Sequence, residues 1–235
     1  MPVNEIFDRA ALLLGDEAME RLGRTRVILF GVGGVGSWCA EALIRTGVGS
    51  MTLVDPDVVV PTNVNRQMPA TTATLGEPKV EAMRRRLLEI NPDADIRAVQ
   101  ARYSADTADE FEFGDYDFVI DAIDSVADKA LLILRATECR TTTLFSSMGA
   151  ARKLDPSRVQ VKEFWQIKGC PLAAALRSRF KRTGQFPARK FQAVFSDEVR
   201  QNRRQGESNG SLVHITAVWG MTLASLVIRR VCAEG

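Results

Sequence analysis

Short, uniformly apolar runs alternate with longer amphipathic stretches through the first 150 residues of the chain. The runs of strand length lie at 26–30, 50–54, 96–99, 117–120 and 142–146. Helical spacing of apolar positions predicts helices over 37–46, 79–90 and 125–137, and two short helices over 4–22, separated near Gly15. Strands that are apolar on both faces and joined by helices are typical of a parallel sheet covered on both sides. The pattern therefore predicts an α/β, Rossmann-like doubly wound fold with a mainly parallel sheet and helices on both faces.

The last third of the chain is less regular. We predict loops at 184–187 and 202–210, and a helix that begins at Pro171, after Cys170. Residues 212–232 are mostly apolar, but His214 interrupts them and two arginines lie near their end. A membrane-spanning helix needs about 20 apolar residues in a row. We therefore interpret this segment as a buried core helix, without stable membrane insertion.

A glycine-rich loop follows the first predicted strand. Gly31, Gly33 and Gly36 have the spacing G-x-G-x-x-G between a strand and a helix, where glycines admit a phosphate and the helix N-terminus supplies N–H donors. Asp55 ends the next strand, 19 residues after Gly36, which suits a carboxylate that binds ribose hydroxyls. The loop predicts a nucleotide site, with NAD as one alternative. The only histidine, His214, lies in an apolar stretch, and we interpret it as a satisfied core residue rather than a hydride-transfer partner.

The polar groups that follow favour ATP over NAD, because a triphosphate needs more cationic help than a pyrophosphate. A further glycine, Gly34, follows Gly33, and five polar side chains come next: Asn63, Asn65, Arg66, Gln67 and Lys79. Arg66 can bind phosphate oxygens through a bidentate fork and Lys79 as a point charge. The alternative interpretation is a loop-capping cluster with a surface lysine.

Two carboxylates follow the fourth predicted strand. Asp121 and Asp124 are three residues apart, at the edge of the sheet where the nucleotide is expected. Carboxylates beside a triphosphate are natural ligands of Mg²⁺, so both are candidates for a magnesium site. The alternative is that one of them caps the helix that begins near Ser125.

The charge distribution adds one candidate surface. The chain is 46% hydrophobic and 26% charged with a net charge of +2, as in an ordinary soluble globular protein. Basic residues outnumber acidic ones between residues 153 and 204, where they include Arg177, Arg179, Lys181, Arg182, Arg189, Lys190, Arg203 and Arg204. Such a segment either binds an anionic partner or forms a solvated surface, and the sequence leaves both open.

The cysteines and the N-terminus exclude several classes of protein. The four cysteines are scattered and form no C-x-x-C pair, so the sequence does not support an all-cysteine zinc site. The N-terminus is acidic and lacks the apolar core of a signal peptide. Free thiols fit a reducing, cytoplasmic setting.

These motifs together resemble the ThiF, MoeB and HesA family of adenylating enzymes. The resemblance covers about residues 5–150 and rests on the segments GVGGVGS at 31–37, VDPD at 54–57, NVNRQ at 63–67, LGEPK at 75–79 and IDAID at 120–124. It implies that Asp55 holds the ribose, that Arg66 and Lys79 hold the phosphates of ATP, and that Asp124 holds magnesium. Asp57 belongs to the same nucleotide motif.

The resemblance also implies a homodimer. Arg9 matches an N-terminal arginine that, in this family, reaches the ATP phosphates of the other subunit. Family members that activate a ubiquitin-like or sulfur-carrier protein often have zinc-binding cysteine pairs and a catalytic cysteine, which this chain lacks. Cys170 is the only cysteine in the region where a thioester cysteine is expected, and we interpret it as structural.

The second half of the chain resembles the tRNA threonylcarbamoyladenosine dehydratase branch of this family. The matching segments are IDAIDS at 120–125, KLDP at 153–156, VQV at 159–161, CPLA at 170–173 and AVFSDE at 193–198. In that branch ATP adenylates a carboxylate on a modified tRNA nucleoside next to the anticodon. An internal nitrogen then closes a ring, with net loss of water. The loop at 205–211 is shorter here than in that branch.

The resemblance implies one adenylating domain over residues 1–235, with the nucleotide-binding part at about 20–150 and a tRNA-facing part at about 151–235. The expected cofactors are ATP and Mg²⁺. The expected partners are tRNA, a second copy of the chain and a sulfur-transfer or redox protein. The rival functions are adenylation of a ubiquitin-like or sulfur-carrier C-terminus, nucleotide binding without turnover, and NAD-dependent dehydrogenation.

Overall fold

A computed structural model describes residues 5–206 and 208–233 of the chain. The strands are β1 Arg26–Phe30, β2 Ser50–Val54, β3 Asp95–Val99, β4 Phe118–Asp121, β5 Thr143–Ser147, β6 Gln160–Glu163 and β7 Gln192–Phe195. The helices are α1 Asp8–Leu14, α2 Asp16–Arg24, α3 Gly36–Arg45, α4 Lys79–Ile90, α5 Val126–Glu138, α6 Pro171–Thr183 and α7 Val213–Cys232. The five strands predicted over the first 150 residues are confirmed to within a residue or so at each end.

The strands form one seven-stranded sheet in the order β3-β2-β1-β4-β5-β7-β6. All neighbours are parallel except β6 and β7, which are antiparallel. Phe30, at the end of β1, is opposite Val54 of β2 on one side and Asp121 of β4 on the other. The chain order reverses between β1 and β4. A doubly wound sheet binds its ligand beyond the carboxyl ends of the strands at such a reversal.

Each face of the sheet carries its own apolar core. One core is built with α3, α4 and α7, and the other with α5, α6 and the aromatic side chains around Phe30. A side chain at Gly220 of α7 would lie 2.5 Å from the Val35 carbonyl oxygen and 2.7 Å from Trp38 Cβ. This glycine therefore lets α7 and α3 pack at close range, with Trp219 fully buried beside it.

The prediction of a buried core helix in the last segment is confirmed. By length and composition alone α7 could cross a membrane, but half of its most apolar window is buried inside the protein. The interpretation of His214 as a core residue is wrong. His214 is the second residue of α7 and is exposed, with Nε2 3.0 Å from the Leu154 carbonyl oxygen. Its position at the helix end, rather than within it, explains the difference.

The strands β6 and β7 were not predicted. They have only four residues each, and β6, at the edge of the sheet, has a single apolar residue, Val161. Both extend the sheet that carries the nucleotide motifs, so residues 151–233 pack onto the first half as part of the same body. The predicted loops at 184–187 and 202–210 contain no helix or strand at the described positions, and Glu207 lies outside the described residues.

Candidate nucleotide-binding site

A cavity of about 470 Å³ opens at the carboxyl ends of β1, β2, β4 and β5. Its wall includes most of the residues singled out in the sequence: Gly31, Gly33, Gly34, Asp55, Asp57, Asn63, Arg66, Gln67, Lys79 and Asp124. Four predicted site residues do not line it: Arg9, Gly36, Asn65 and Asp121. The topology therefore gathers motifs from five separate segments into one polar cavity at the reversal of strand order.

The glycine loop forms the floor of the cavity below the start of α3. Gly31 has a φ of 92°, and a side chain there would lie 2.6 Å from the Ala122 carbonyl oxygen. A side chain on Gly36 would lie 1.9 Å from the Gly31 carbonyl oxygen, so this glycine permits loop closure instead of contacting a ligand. No side chain caps the N-terminus of α3. The Ser37 N–H donates to the Gly33 carbonyl at 3.1 Å, so the helix offers a phosphate mainly the positive end of its dipole.

Asp55 is buried at the end of β2 and lines the cavity. Its Oδ2 accepts a hydrogen bond from the Val32 N–H at 2.7 Å and its Oδ1 one from the Asp57 N–H at 2.9 Å. Burial raises the pKa of this carboxyl, while the nearby Lys79 ammonium acts in the opposite direction. Each oxygen keeps a second lone pair, which suits acceptance of hydrogen bonds from two hydroxyls.

Lys79 is an almost buried lysine, not a surface residue. It opens α4, its side chain is 6% exposed, and Nζ lies 2.7 Å from Oδ2 of Asp57. The Asp57 side chain is 63% exposed. This pair holds an ammonium group in the cavity wall beside an aspartate that remains in contact with water. The lysine can therefore transfer to an anionic ligand at modest cost.

The polar loop before α4 contributes a second cation. Arg66 Nη1 donates to the Thr62 carbonyl and to Asn65 Oδ1, both at 2.8 Å. The Asn65 amide instead donates to the Ser211 carbonyl at 3.0 Å, which ties this loop to the segment before α7. Gln67 is 8% exposed, and within the described chain its Oε1 has no hydrogen-bond partner. A buried amide oxygen without a partner in a cavity wall is a position for a ligand donor.

The two aspartates after β4 have different environments. Asp121 is fully buried, and its oxygens accept from Lys129 Nζ at 2.8 Å, Ser146 Oγ at 2.6 Å and the Ile123 N–H at 3.2 Å. These hydrogen bonds occupy both oxygens of Asp121 and argue against its assignment as a magnesium ligand. Asp124 is exposed in the cavity wall. Neither residue caps α5, since Ser125 is the N-cap and accepts from the Asp128 N–H at 3.4 Å.

The donor set fits a magnesium ion held with a nucleotide better than an all-protein metal site. No group of three metal-binding side chains occurs within residues 5–206 and 208–233. Magnesium in phosphate-transfer sites commonly uses one or two carboxylates together with substrate phosphates and water. Asp124, in the wall of the same cavity, supplies one such carboxylate.

Several residues of this site give no sequence signal. Lys129, which is fully buried beneath Asp124, pairs with Asp121, and burial lowers its pKa against the attraction of that carboxylate. The cavity lining also includes small or apolar residues: Ser147, Met148, Gly149, Ala150, Leu172 and Thr216. None belongs to a charged motif, so only the folded chain brings them to the site.

The residues predicted for partners are distributed over the surface and the core. Arg9 is exposed on α1, together with Leu12 and Leu13, which are 89% and 84% exposed. Cys170 is 3% exposed at the start of α6, away from the cavity wall, as a structural cysteine would be. Arg189 donates to carbonyls at the end of α5, including Thr137 at 2.9 Å and Thr142 at 3.0 Å. Its guanidinium therefore has a structural role.

This geometry defines a class: a doubly wound nucleotide-binding protein whose cavity combines a glycine loop, a buried aspartate, two basic side chains and an exposed carboxylate. The sequence model of the ThiF family matches residues 7–235. The chain belongs to the ThiF family.

Two curated relatives match most of the chain. The tRNA threonylcarbamoyladenosine dehydratase of Bacillus subtilis (strain 168) is 40% identical over 207 residues, 86% of this chain and 80% of that protein. The protein of the same name from Haemophilus influenzae is 34% identical over 239 residues, 94% of this chain and 91% of that protein.

Solved structures of enzymes with the same name share the fold of this chain. The crystal structure of the E. coli tRNA N6-threonylcarbamoyladenosine dehydratase in complex with ATP superposes with a TM-score of 0.89, at 34% identity, over 98% of this chain and 95% of that chain. The AMP complex of the same enzyme matches equally well. Both the fold class and the family resemblance predicted from the sequence are thereby confirmed.

Proposed function

We propose that this protein is an ATP-dependent tRNA threonylcarbamoyladenosine dehydratase. The threonine carboxylate of the modified nucleoside attacks the α-phosphate of ATP and releases pyrophosphate. A nitrogen of the same side chain then attacks the acyl adenylate, closes a ring and releases AMP, so that the nucleoside loses one water. The observation that carries the proposal is the single cavity in which the charged motifs converge, on a chain similar over nearly its whole length to enzymes of that name.

Electrostatic stabilisation of the phosphates is the main catalytic contribution that the cavity offers. Lys79, Arg66 and the uncapped N-terminus of α3 supply positive charge on the side of the glycine loop. Preorganised donors of this kind, in a site partly shielded from water, stabilise charge that develops in the transition state. Asp55 orients the ribose, so that the α-phosphate and the carboxylate meet in line.

Asp124 is our candidate magnesium residue. When bound, the ion would neutralise phosphate charge and assist the departure of pyrophosphate. The contribution of the chain itself is an exposed carboxylate in the cavity wall, in the loop that contacts the glycine loop. Asp121 is not a candidate magnesium ligand here, because hydrogen bonds inside the protein occupy its oxygens.

A homodimer would complete the site with Arg9 of a second copy. Arg9 shares α1 with the strongly exposed Leu12 and Leu13, and exposed leucines of this kind are candidates for burial at an interface. An arginine delivered by the partner would add positive charge at the mouth of the cavity.

Other partners follow from the substrate. The exposed basic residues Lys181, Arg182, Lys190, Arg203 and Arg204 are candidates for tRNA phosphate contacts, and Arg189 is not one of them. A tRNA substrate indicates action in the cytoplasm, without stable membrane insertion of the half-buried α7. A sulfur-transfer or redox partner protein is part of the same proposal.

The test is mass spectrometry of nucleosides from tRNA that carries threonylcarbamoyladenosine, incubated with protein, ATP and magnesium. We expect loss of one water from that nucleoside. Arg66→Ala abolishes the change, whereas the matched control Arg84→Ala, on the far surface of α4, does not. If the nucleoside is unchanged although the protein still binds ATP, the assignment of this substrate is wrong. The assignment would then move to a protein C-terminus as the carboxylate.

A further inference from the structure

The loop between β4 and α5 forms one wall of the cavity and carries Asp124. Residues 122–125 all line the cavity. The loop contacts the glycine loop directly. A side chain on Gly31 would lie 2.6 Å from the Ala122 carbonyl oxygen. Its position therefore sets both the floor of the cavity and the place of Asp124.

A buried ion pair lies directly beneath this loop. Lys129 and Asp121 are both 0% exposed, with Nζ 2.8 Å from Oδ1. Lys129 is also the fourth residue of α5, near the positive end of the helix dipole. Burial and helix position both disfavour a lysine. Replacement of such a pair by apolar residues is often neutral or stabilising, so packing alone does not explain its presence.

The pair holds the backbone of one loop residue, Ile123, from both sides. Lys129 Nζ donates to the Ile123 carbonyl at 2.9 Å, and the Ile123 N–H donates to Asp121 Oδ1 at 3.2 Å. Ser146 of β5 donates to the other oxygen of Asp121 at 2.6 Å. The residue immediately before Asp124 is therefore fixed to α5 and, through Asp121, to two strands of the sheet.

We propose that Lys129 is a positioning residue, which holds the Ile123 backbone so that Asp124 faces the phosphates of the bound nucleotide. The inference rests on the proposed role of Asp124 at the magnesium-bound phosphates. Lys129 acts through the backbone and does not touch the nucleotide itself.

The experiment measures nucleotide affinity, independently of tRNA. The double variant Lys129→Met/Asp121→Asn removes both charges. The side-chain oxygen of the introduced asparagine can still accept from the Ile123 N–H, and its NH2 group can donate to Ser146 Oγ, so the fold is expected to persist. The control is Leu132→Ala, which removes a fully buried side chain of the same helix away from the cavity. Calorimetry measures the affinity of each protein for three ligands: ATP with magnesium, ATP with a chelator, and AMP. The three affinities distinguish a displaced Asp124 from a general loss of stability.

We expect the double variant to lose about tenfold in affinity for ATP with magnesium, or about 1.4 kcal/mol. Its affinities for AMP and for metal-free ATP should stay near wild type, as should all three affinities of Leu132→Ala. The proposal is overturned if all three affinities fall together or none falls, or if wild-type affinity for ATP does not depend on magnesium. A wild type that binds nucleotide but leaves the tRNA nucleoside unchanged would refute the proposed function alone, because the affinities would still decide the role of Lys129.

Discussion

Two lysine–aspartate pairs lie at the cavity, and they differ in access to water. In the pair of Lys79 and Asp57 the lysine is almost buried while the aspartate is 63% exposed. In the pair of Lys129 and Asp121 both side chains are 0% exposed. An aspartate that water can solvate tolerates the departure of its lysine toward a phosphate, whereas a sealed aspartate does not. The first pair is therefore suited to binding and the second to holding the site in shape.

The largest expected effect is on stability, in the sealed pair. Lys129→Met leaves Asp121 buried without its cation and should lower the free energy of unfolding by about 3–5 kcal/mol. Urea denaturation measures this loss. The control is Arg84→Met, whose pair with Glu81 on α4 is open to water and should change stability by about 0.5 kcal/mol or less. If the two variants lose the same free energy of unfolding, burial does not distinguish the sealed pair from an exposed pair.

The next largest effect should appear in activity. Lys79→Met removes the ammonium group from the cavity wall, and we expect kcat/KM for ATP to fall about 100-fold. Stability should change little, because Asp57 remains solvated. Steady-state kinetics of the dehydration, together with urea denaturation of the same preparations, checks both expectations. A variant that is unstable but fully active would reverse the roles assigned to the two pairs.

Asp57→Asn tests the ion pair whose aspartate is exposed to water. The amide still accepts a hydrogen bond from Lys79 but no longer attracts its charge. Because an exposed ion pair contributes about 1 kcal/mol or less, the affinity for ATP should change by less than about fivefold. Calorimetric titration measures it, with the exposed Asp93→Asn as the matched control. A loss of 100-fold would mean that Asp57 itself contacts the ligand.

A third acid, Glu198, extends the comparison to the dependence of stability on pH. Its hydrogen bond from Arg200 and those from the N–H groups of Asp155 and Leu154 lower its pKa to about 2. A lowered pKa in the folded state means a stabilisation that is complete above about pH 5 and is lost as the pH falls toward 2. The difference in unfolding free energy between wild type and Glu198→Gln should therefore shrink over that window. A difference independent of pH would contradict the assignment.

Sequence reasoning worked best where a residue type and its place in the fold point the same way. The glycines, Asp55 and Lys79 each lie at the end of a strand or the start of a helix, and a parallel sheet brings those positions to one edge. The strands were predictable for the same reason, since an apolar run between two helices has few alternatives in a doubly wound fold.

The role of a residue was not predictable where it depends on the direction in which the side chain points rather than on its position in the sequence. Asp121 and Asp124 look equivalent along the chain, but Asp121 still belongs to β4 and turns inward to Lys129, while Asp124 stands in the loop. Nothing in the sequence pairs Asp121 with a lysine eight residues later. The short strands β6 and β7 were missed because their pairing depends on distant partners instead of local pattern.

The close packing of α3 against α7 at Gly220 has a consequence for synthesis of the chain. From the end of α3 at Arg45 to the end of α7 at Cys232 the chain runs 187 residues, which a ribosome translates in roughly 10 to 40 s. Until α7 emerges, this face of the sheet is covered by α3 and α4 without α7, and the apolar side chains that α7 would bury remain exposed. The apolar core on this face is therefore complete only after the last helix has left the ribosomal tunnel.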